Sequence, residues 1–239
     1  MSVLTLRLAG PLQSWGASAR FTRRTTEAAP TKSGVIGMLA AAAGIERGDD
    51  ERLAPLAALK FGVRIDQPGT RVRDFHTAHH SVTGKSMPLS ERFYLADAVF
   101  VAALEGDRPL LSELHAALRA PVYAPFLGRR SCPPSLPVEL GLHEGGLTDV
   151  LREVPWQASA WYRRQYRGRN EIELTVLREA SEDEQQAADV LRDQPLSFAA
   201  EHRRHALRTQ LSDCVRIPNP SGRQLPRHDP FDALDEESA

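Results

Sequence analysis

The alternation of strand-like and helical patterns most constrains how this chain can fold. The strand patterns lie at 1–8, 59–65, 71–77, 92–104 and 138–142, and the helical patterns lie at 31–43 and 108–118. Their order is β-α-β, an insertion, and then β-α-β. Two such units over one antiparallel sheet predict an α+β fold with a ferredoxin-like, RNA-recognition-motif-like (RRM-like) β-α-β-β-α-β domain.

The residues beyond this pattern predict an extension of the first unit. A helical pattern lies at 147–152, strand patterns lie at 171–177 and 205–217, and an acidic connector lies at 181–193. We expect residues 1–146 to form the first unit and 147–218 to form a C-terminal, strand-containing extension on the same sheet. Residues 219–239 are rich in proline and acids, which predicts a mobile acidic tail.

The charge of the chain is unevenly distributed. The formal net charge of −1 argues against indiscriminate nucleic-acid binding. Five acids lie in the last eleven residues, however, so the remainder carries +4, and its arginines form short clusters. The chain has no apolar stretch long enough to span a bilayer and no signal-peptide pattern, so we expect a cytoplasmic protein without membrane contact.

Two segments near the N-terminus combine groups that suit nucleic acid. Gln13, Ser14 and Trp15 follow a glycine at the end of the first strand pattern and offer hydrogen bonds and a stacking surface. The alternative is that Trp15 is an ordinary core residue. The second segment places cations and a hydroxyl at the predicted start of the first helix, where free N–H groups favour a phosphate. Its residues are Arg20, Arg23, Arg24, Lys32 and Ser33. A flexible surface loop is the alternative.

A histidine-rich segment allows two interpretations. Arg73 and His76 precede a polar stretch that contains His79 and Lys85, and Tyr94 follows it. These side chains could perform metal-independent RNA cleavage by general acid–base catalysis, or they could contact RNA without cleaving it. Zinc binding by His76, His79 and His80 is the weaker option, because it needs a fourth donor from Asp74 or Glu91 and the segment is not visibly helical. We expect no metal site and no cofactor.

Two further segments combine arginine with stiff or aromatic neighbours. Arg129 and Arg130 follow a glycine in a proline-rich stretch, and guanidinium groups match phosphate oxygens. The segment 161–169 interleaves tryptophan and tyrosine with four arginines. That pattern is typical of a single-strand binder or of a protein interface, and the sequence leaves both open.

Four blocks in the first 140 residues resemble the CasD-type subunits of the type I-E Cascade complex, members of the RAMP superfamily of CRISPR-associated proteins. They read LRLAGPLQSWG at 6–16, PTKSG at 30–34, RDFHT at 73–77 and YAPFLGRRSCP at 123–133. The last hundred residues match this family far less well.

The resemblance implies a non-catalytic RNA-binding subunit. Its ferredoxin-like palm and a protruding β-hairpin thumb, here about 76–91, would grip the 5′ handle of the CRISPR RNA (crRNA). The implied partners are a CasC-type backbone subunit and a CasA-type large subunit, with target DNA reached indirectly. The residues expected to touch RNA are Gln13, Ser14, Trp15, Arg20, Arg23, Arg24, Lys32, Ser33, Arg73, His76, Lys85, Arg129 and Arg130. The alternative function is a metal-independent endoribonuclease that processes CRISPR repeat RNA with His76 or His79, Lys85 and Tyr94.

Overall fold

A computed structural model describes residues 1–17 and 23–222 of the chain. Arg20 and the predicted acidic tail from residue 223 onward lie outside the described residues. The strands are β1 (Ser2–Ala9), β2 (Leu12–Gln13), β3 (Arg23–Arg24), β4 (Lys60–Gln67), β5 (Thr70–His76), β6 (Ser90–Ala96), β7 (Val99–Gly106), β8 (Glu139–Glu144), β9 (Glu171–Glu179), β10 (Asp189–Ser197) and β11 (Arg204–Pro218). The helices are α1 (Lys32–Ala42), α2 (Asp50–Ala57), α3 (Arg108–Arg119), α4 (Leu147–Glu153) and α5 (Ala160–Arg164), with a 3₁₀ helix at Glu182–Ala187.

Seven strands form one large sheet in the order β10-β11-β9-β4-β7-β1-β8. Every neighbouring pair in it is antiparallel. The last three strands of the chain therefore extend the sheet that the first half builds, since β9 pairs with β4. The mixed α/β fold with a large antiparallel sheet agrees with the predicted fold class at that level.

The two faces of the large sheet are covered by different parts of the chain. Strand β1 alternates, so that Leu4, Leu6 and Leu8 face a core shared with α1 and α3. Val3 points the other way, into a second core with α4 and Trp156. Both faces of the sheet are thus removed from solvent over its central strands.

The segment after α4 is held down by a buried ion pair. Arg64 and Asp66 lie fully buried on β4, with the Nε of Arg64 2.7 Å from an oxygen of Asp66. Arg64 also donates to the carbonyl oxygens of Val154 and Pro155, just beyond the last turn of α4. The indole of Trp156 donates to the Asp66 carbonyl at 3.0 Å. Burial raises the pKa of Asp66, and the bonds from Arg64 oppose that shift.

The structure corrects three local predictions. The apolar run 92–104 is two strands rather than one, because Asp97 adopts φ 56° and turns the chain between β6 and β7. The connector 181–193 contains the 3₁₀ helix and the start of β10. Helices α2 and α5 are elements that the sequence analysis did not identify. None of the helices in the described ranges is long and apolar enough to cross a membrane.

The buried pair on β4 gives a stability prediction. We expect Arg64→Met to lower the free energy of unfolding by about 3–5 kcal/mol, because the carboxylate of Asp66 stays buried without its partner. Urea denaturation followed by circular dichroism measures this change. Arg119→Ala, at an exposed position on α3, is the control and should shift stability by less than about 0.5 kcal/mol. An unchanged urea midpoint in Arg64→Met would contradict the structural role of the pair.

Candidate nucleic-acid interface

A second, smaller sheet lies beside the large one and carries the predicted arginines. Strand β6 is its centre, with the long antiparallel partner β5 on one edge. The short strands β2 and β3 pair with the other edge of β6. Through this pairing Arg23 lies opposite Glu91 and Arg73 lies opposite Phe93, although β3 is distant in sequence from the hairpin of β5 and β6.

One face of this small sheet combines arginines with phenylalanines. The guanidinium carbons of Arg23 and Arg71 lie 5.4 and 4.9 Å from the centre of the Phe93 ring. That of Arg73 lies 5.0 Å from the centre of the Phe75 ring, which is 49% exposed. Residues opposite one another in an antiparallel pair share a face, so these contacts follow from the register. We call these five residues the Arg–Phe face.

The electrostatics of the Arg–Phe face favour an anion. Glu91 approaches Arg23 at 3.9 Å and Arg73 at 3.7 Å, and these distances exceed those of a close ion pair. The side chains of Arg23 and Arg73 are 70% and 56% exposed, so such contacts contribute little stability. Three arginines and one carboxylate leave a net positive surface with an accessible aromatic ring.

The opposite face of β6 holds the predicted proline-rich loop. The guanidinium of Arg129 lies 4.7 Å from the centre of the buried Tyr94 ring, and its Nη2 donates to the Arg24 carbonyl at 2.8 Å. The Nε of Arg92 and the Nη1 of Arg129 are buried nitrogens without a hydrogen-bond partner among the described residues. Arg129 is therefore partly a packing residue, whereas its neighbour Arg130 is exposed.

A glycine lets this loop dock against the N-terminal loop. The backbone N–H of Ser14 donates to the Leu127 carbonyl at 3.1 Å, and the N–H of Leu127 donates to the Cys132 carbonyl at 2.8 Å. Gly128 has φ +84°, and a Cβ placed there would overlap the carbonyl oxygen of Ser14. Only glycine fits this close approach without displacing backbone. Two of the blocks that carry the family resemblance are thus in direct contact.

The first predicted trio is buried rather than exposed. Trp15 is fully buried, and its indole donates to the side-chain oxygen of Gln13 at 3.0 Å. Gln13 donates to the carbonyls of Leu8 and Ala98, and Ser14 donates to that of Phe93. In this structure all three fix the loop and the small sheet, and none presents a surface to a ligand. The alternative of a core tryptophan describes Trp15 correctly.

A carboxylate of the protein itself, that of Asp193, binds at the start of α1. The backbone N–H of Lys32 donates to the carboxylate of Asp193 at 2.7 Å, and its buried ammonium lies 2.8 Å from Glu179. Burial lowers the pKa of Lys32, and Glu179 opposes that shift. Ser33 is buried as well. The phosphate predicted at this helix start is therefore replaced by Asp193, which Arg208 holds through two bonds of 2.8 Å.

The predicted hairpin is present between β5 and β6, and its tip is exposed. His76 pairs with Ser90 at the end of the ladder, and a bridge joins His79 to Ser86 beyond it. Lys85 is exposed on the same tip. Tyr94 is buried under Arg129 and lies four residues along β6 from Ser90, about 13 Å at the rise of a strand. The structure therefore does not bring Tyr94 together with the histidines of the predicted nuclease set.

Sequence reasoning missed Arg71, Phe75 and Phe93 as site residues. Each lies in a segment that the sequence analysis identified as extended, and alternation alone places Arg71, Arg73 and Phe75 on one side of a strand. The signal that brings them to Phe93 is the register of β5 against β6. The residue types at the hairpin tip do not specify how β5 and β6 align, so the sequence alone does not place these residues together.

Comparisons with known proteins agree on one family. A family model described as "CRISPR-associated protein (Cas_Cas5)" matches residues 3–210. The chain is 38% identical over 158 residues to the "CRISPR system Cascade subunit CasD" of Escherichia coli (strain K12), a match that covers 59% of this chain and 70% of that protein.

Two solved structures are similar over nearly the whole chain. One belongs to a "CRISPR RNA-guided surveillance complex", with 32% identity, a TM-score of 0.73, and coverage of 94% of this chain and 95% of the other. The second is described as "Crystal structure of Cas protein", with 36% identity, a TM-score of 0.69, and coverage of 94% and 99%.

The docked loop gives a prediction at Gly128. We expect Gly128→Ala to release the 127–132 loop, because the new Cβ meets the Ser14 backbone and the positive φ adds strain of about 1–3 kcal/mol. Limited trypsin digestion should then cut faster after Arg129 and Arg130. Gly168→Ala is the control, since nothing lies within 4 Å of a Cβ there. Equal cleavage rates in the two variants would contradict the docking role.

Proposed function

Because this chain belongs to the Cas5 family of CRISPR-associated proteins, we propose that it is a cytoplasmic, non-catalytic subunit of a type I-E Cascade surveillance complex and caps the 5′ handle of the crRNA. The predicted resemblance to CasD-type proteins is confirmed. The observation that carries the RNA-binding part of the proposal is the Arg–Phe face of the small sheet.

The chemistry of that face matches an unpaired RNA strand. Bases of a single strand stack on aromatic rings in a sequence-tolerant way, and arginines hold the phosphates between them. The half-exposed ring of Phe75 supplies a stacking surface, and Arg23, Arg71 and Arg73 supply the cations. A duplex is a poorer match, because its bases are already stacked on one another.

The covered large sheet supports the same assignment. RRM-type domains stack RNA bases on aromatic residues of their four-stranded sheet. Here one face of the large sheet is packed under α1 and α3, and the other under α4 and Trp156. The small sheet offers the half-exposed ring of Phe75 instead.

We propose a ferredoxin-like palm for the first 146 residues. The strands that precede and follow α1 and α3 are β1, β4, β7 and β8, and they lie in the spatial order β8-β1-β7-β4. The outer pairs and the central pair are antiparallel, as two interlocked β-α-β units require. In this proposal the hairpin at about 76–91 is the thumb, with His76 and Lys85 on it.

The assembly partners are proposed from the relatives. One similar solved chain comes from an RNA-guided surveillance complex, and the E. coli relative is named a Cascade subunit. We infer that this chain contacts a CasC-type backbone subunit and a CasA-type large subunit, and that it supports target-DNA binding indirectly. Arg130 and the exposed hairpin tip remain available at the surface for RNA or for these subunits.

Neutralising two arginines tests the Arg–Phe face. We expect Arg71→Ala/Arg73→Ala to weaken binding of handle RNA and to lower the slope of log K against log salt by about 1.4, because each lost phosphate contact on a single strand removes about 0.7. Fluorescence anisotropy between 50 and 300 mM salt, about the range over which such contacts weaken, measures both quantities. Arg47→Ala/Arg119→Ala removes two exposed arginines elsewhere and should leave the slope unchanged. Equal slopes in all three proteins would refute the assignment.

The non-catalytic assignment has its own test. We expect purified protein to leave CRISPR repeat RNA intact in EDTA, because Tyr94 is buried and separated from the hairpin histidines. Gel analysis of end-labelled RNA measures cleavage. Specific cleavage that disappears in His76→Ala/His79→Ala would establish the endoribonuclease instead.

A further inference from the structure

A small cavity lies beyond the end of β6, between the first half of the chain and the segment around α5. Its volume is about 270 Å³. The walls combine a cation, an anion and amide groups with apolar surface. The residues that define its chemistry are Arg7, Asp97, Gln157, Leu136 and Trp161. No residue of the Arg–Phe face lines this cavity.

Trp161 presents an aromatic surface at this cavity. It is 45% exposed, whereas Trp15 and Trp156 are buried. Its ring is supported from one side by Tyr162, in an edge contact with centroids 5.6 Å apart. Tyr162 and Tyr166 share a hydrogen bond between their hydroxyls, and burial first and this bond second raise the pKa of Tyr162 to about 12. The Tyr162 ring beneath Trp161 is thus uncharged at neutral pH, and its hydroxyl is hydrogen-bonded to that of Tyr166.

The segment that carries Trp161 is strongly basic. It contains Arg163, Arg164, Arg167 and Arg169, and no acid occurs between residues 154 and 170. None of the four has an ion-pair partner within the described ranges. The Nε atoms of Arg7 and Arg163 are buried nitrogens to which no described residue supplies an acceptor.

We propose that this surface is a second nucleic-acid site, at which one base of a single strand stacks on Trp161 and enters the cavity while the arginines hold its phosphates. A base fits because it is flat and offers both donors and acceptors, which Asp97 and Arg7 complement on the cavity wall. The unpaired arginines match a polyanion. A protein partner would need an aromatic residue flanked by several acids to match the same surface. The site is independent of the proposed guide-RNA site.

Tryptophan fluorescence gives a direct test, because Trp161 is the accessible indole. A short oligothymidylate is the probe. We expect it to quench the exposed tryptophan signal both in the wild-type protein and in Arg71→Ala/Arg73→Ala, whose guide-RNA site is disabled. An abasic oligonucleotide of equal length has the charge without the bases and should leave the signal unchanged. Quenching that disappears with Arg71 and Arg73 would assign the probe to the first site and overturn the proposal.

Affinity measurements on variants complete the test. All variants are made in the Arg71→Ala/Arg73→Ala protein, so that the proposed guide-RNA site does not contribute to binding. We expect Trp161→Leu in that protein to weaken binding of a dye-labelled probe roughly fivefold to 150-fold, the range for loss of one base–aromatic stack. Arg164→Ala/Arg167→Ala should lower the salt slope by about 1.4, while Arg47→Ala/Arg119→Ala should not. If the probe binds all variants equally, or if an acidic peptide protects Trp161 from acrylamide while the probe does not, the surface is not a nucleic-acid site.

Discussion

The buried pair of Arg64 and Asp66 determines how the rest of the molecule is arranged. It anchors the chain just beyond α4 and thereby holds Trp156 against the second face of the large sheet. An ion pair without water is tolerated here because backbone carbonyls and N–H groups satisfy its remaining hydrogen-bonding capacity. With that face closed, Phe75 on the small sheet and Trp161 on α5 are aromatic residues that remain accessible outside the layered core.

The small sheet also shows how one strand can serve two purposes. Outward residues of β6 and β5 alternate with residues that pack beneath the 127–132 loop, so Phe93 and Tyr94 point to opposite sides. On the outer side the arginines remain exposed. On the inner side Arg129 crosses a buried ring and donates to backbone. The same residue type thus lies exposed beside phenylalanine rings in one place and stiffens the scaffold in another.

Local patterns in the sequence predicted the strands and helices that neighbouring residues specify. Alternating leucines gave β1, and the cap of Thr31 with an alanine-rich face gave α1. The burial of predicted site residues has causes that lie outside their own segment. Lys32 is paired with residues about 150 positions later, and the Trp15 ring packs against Gly34 of α1. The Arg–Phe face depends on strand register, which hydrophobic periodicity does not specify across a long polar hairpin.

The carboxylate at the start of α1 has a consequence for how the protein is made. Asp193 accepts from the first turn of the helix and is itself held by Arg208. Asp193 follows Lys32 by 161 residues in the sequence. During synthesis on the ribosome the residues of α1 leave the exit tunnel long before Asp193 does. The ammonium of Lys32 must stay hydrated until then, because burying it alone would be costly. The contacts of Lys32 with Asp193 and Glu179 can therefore form only after the last strands have emerged.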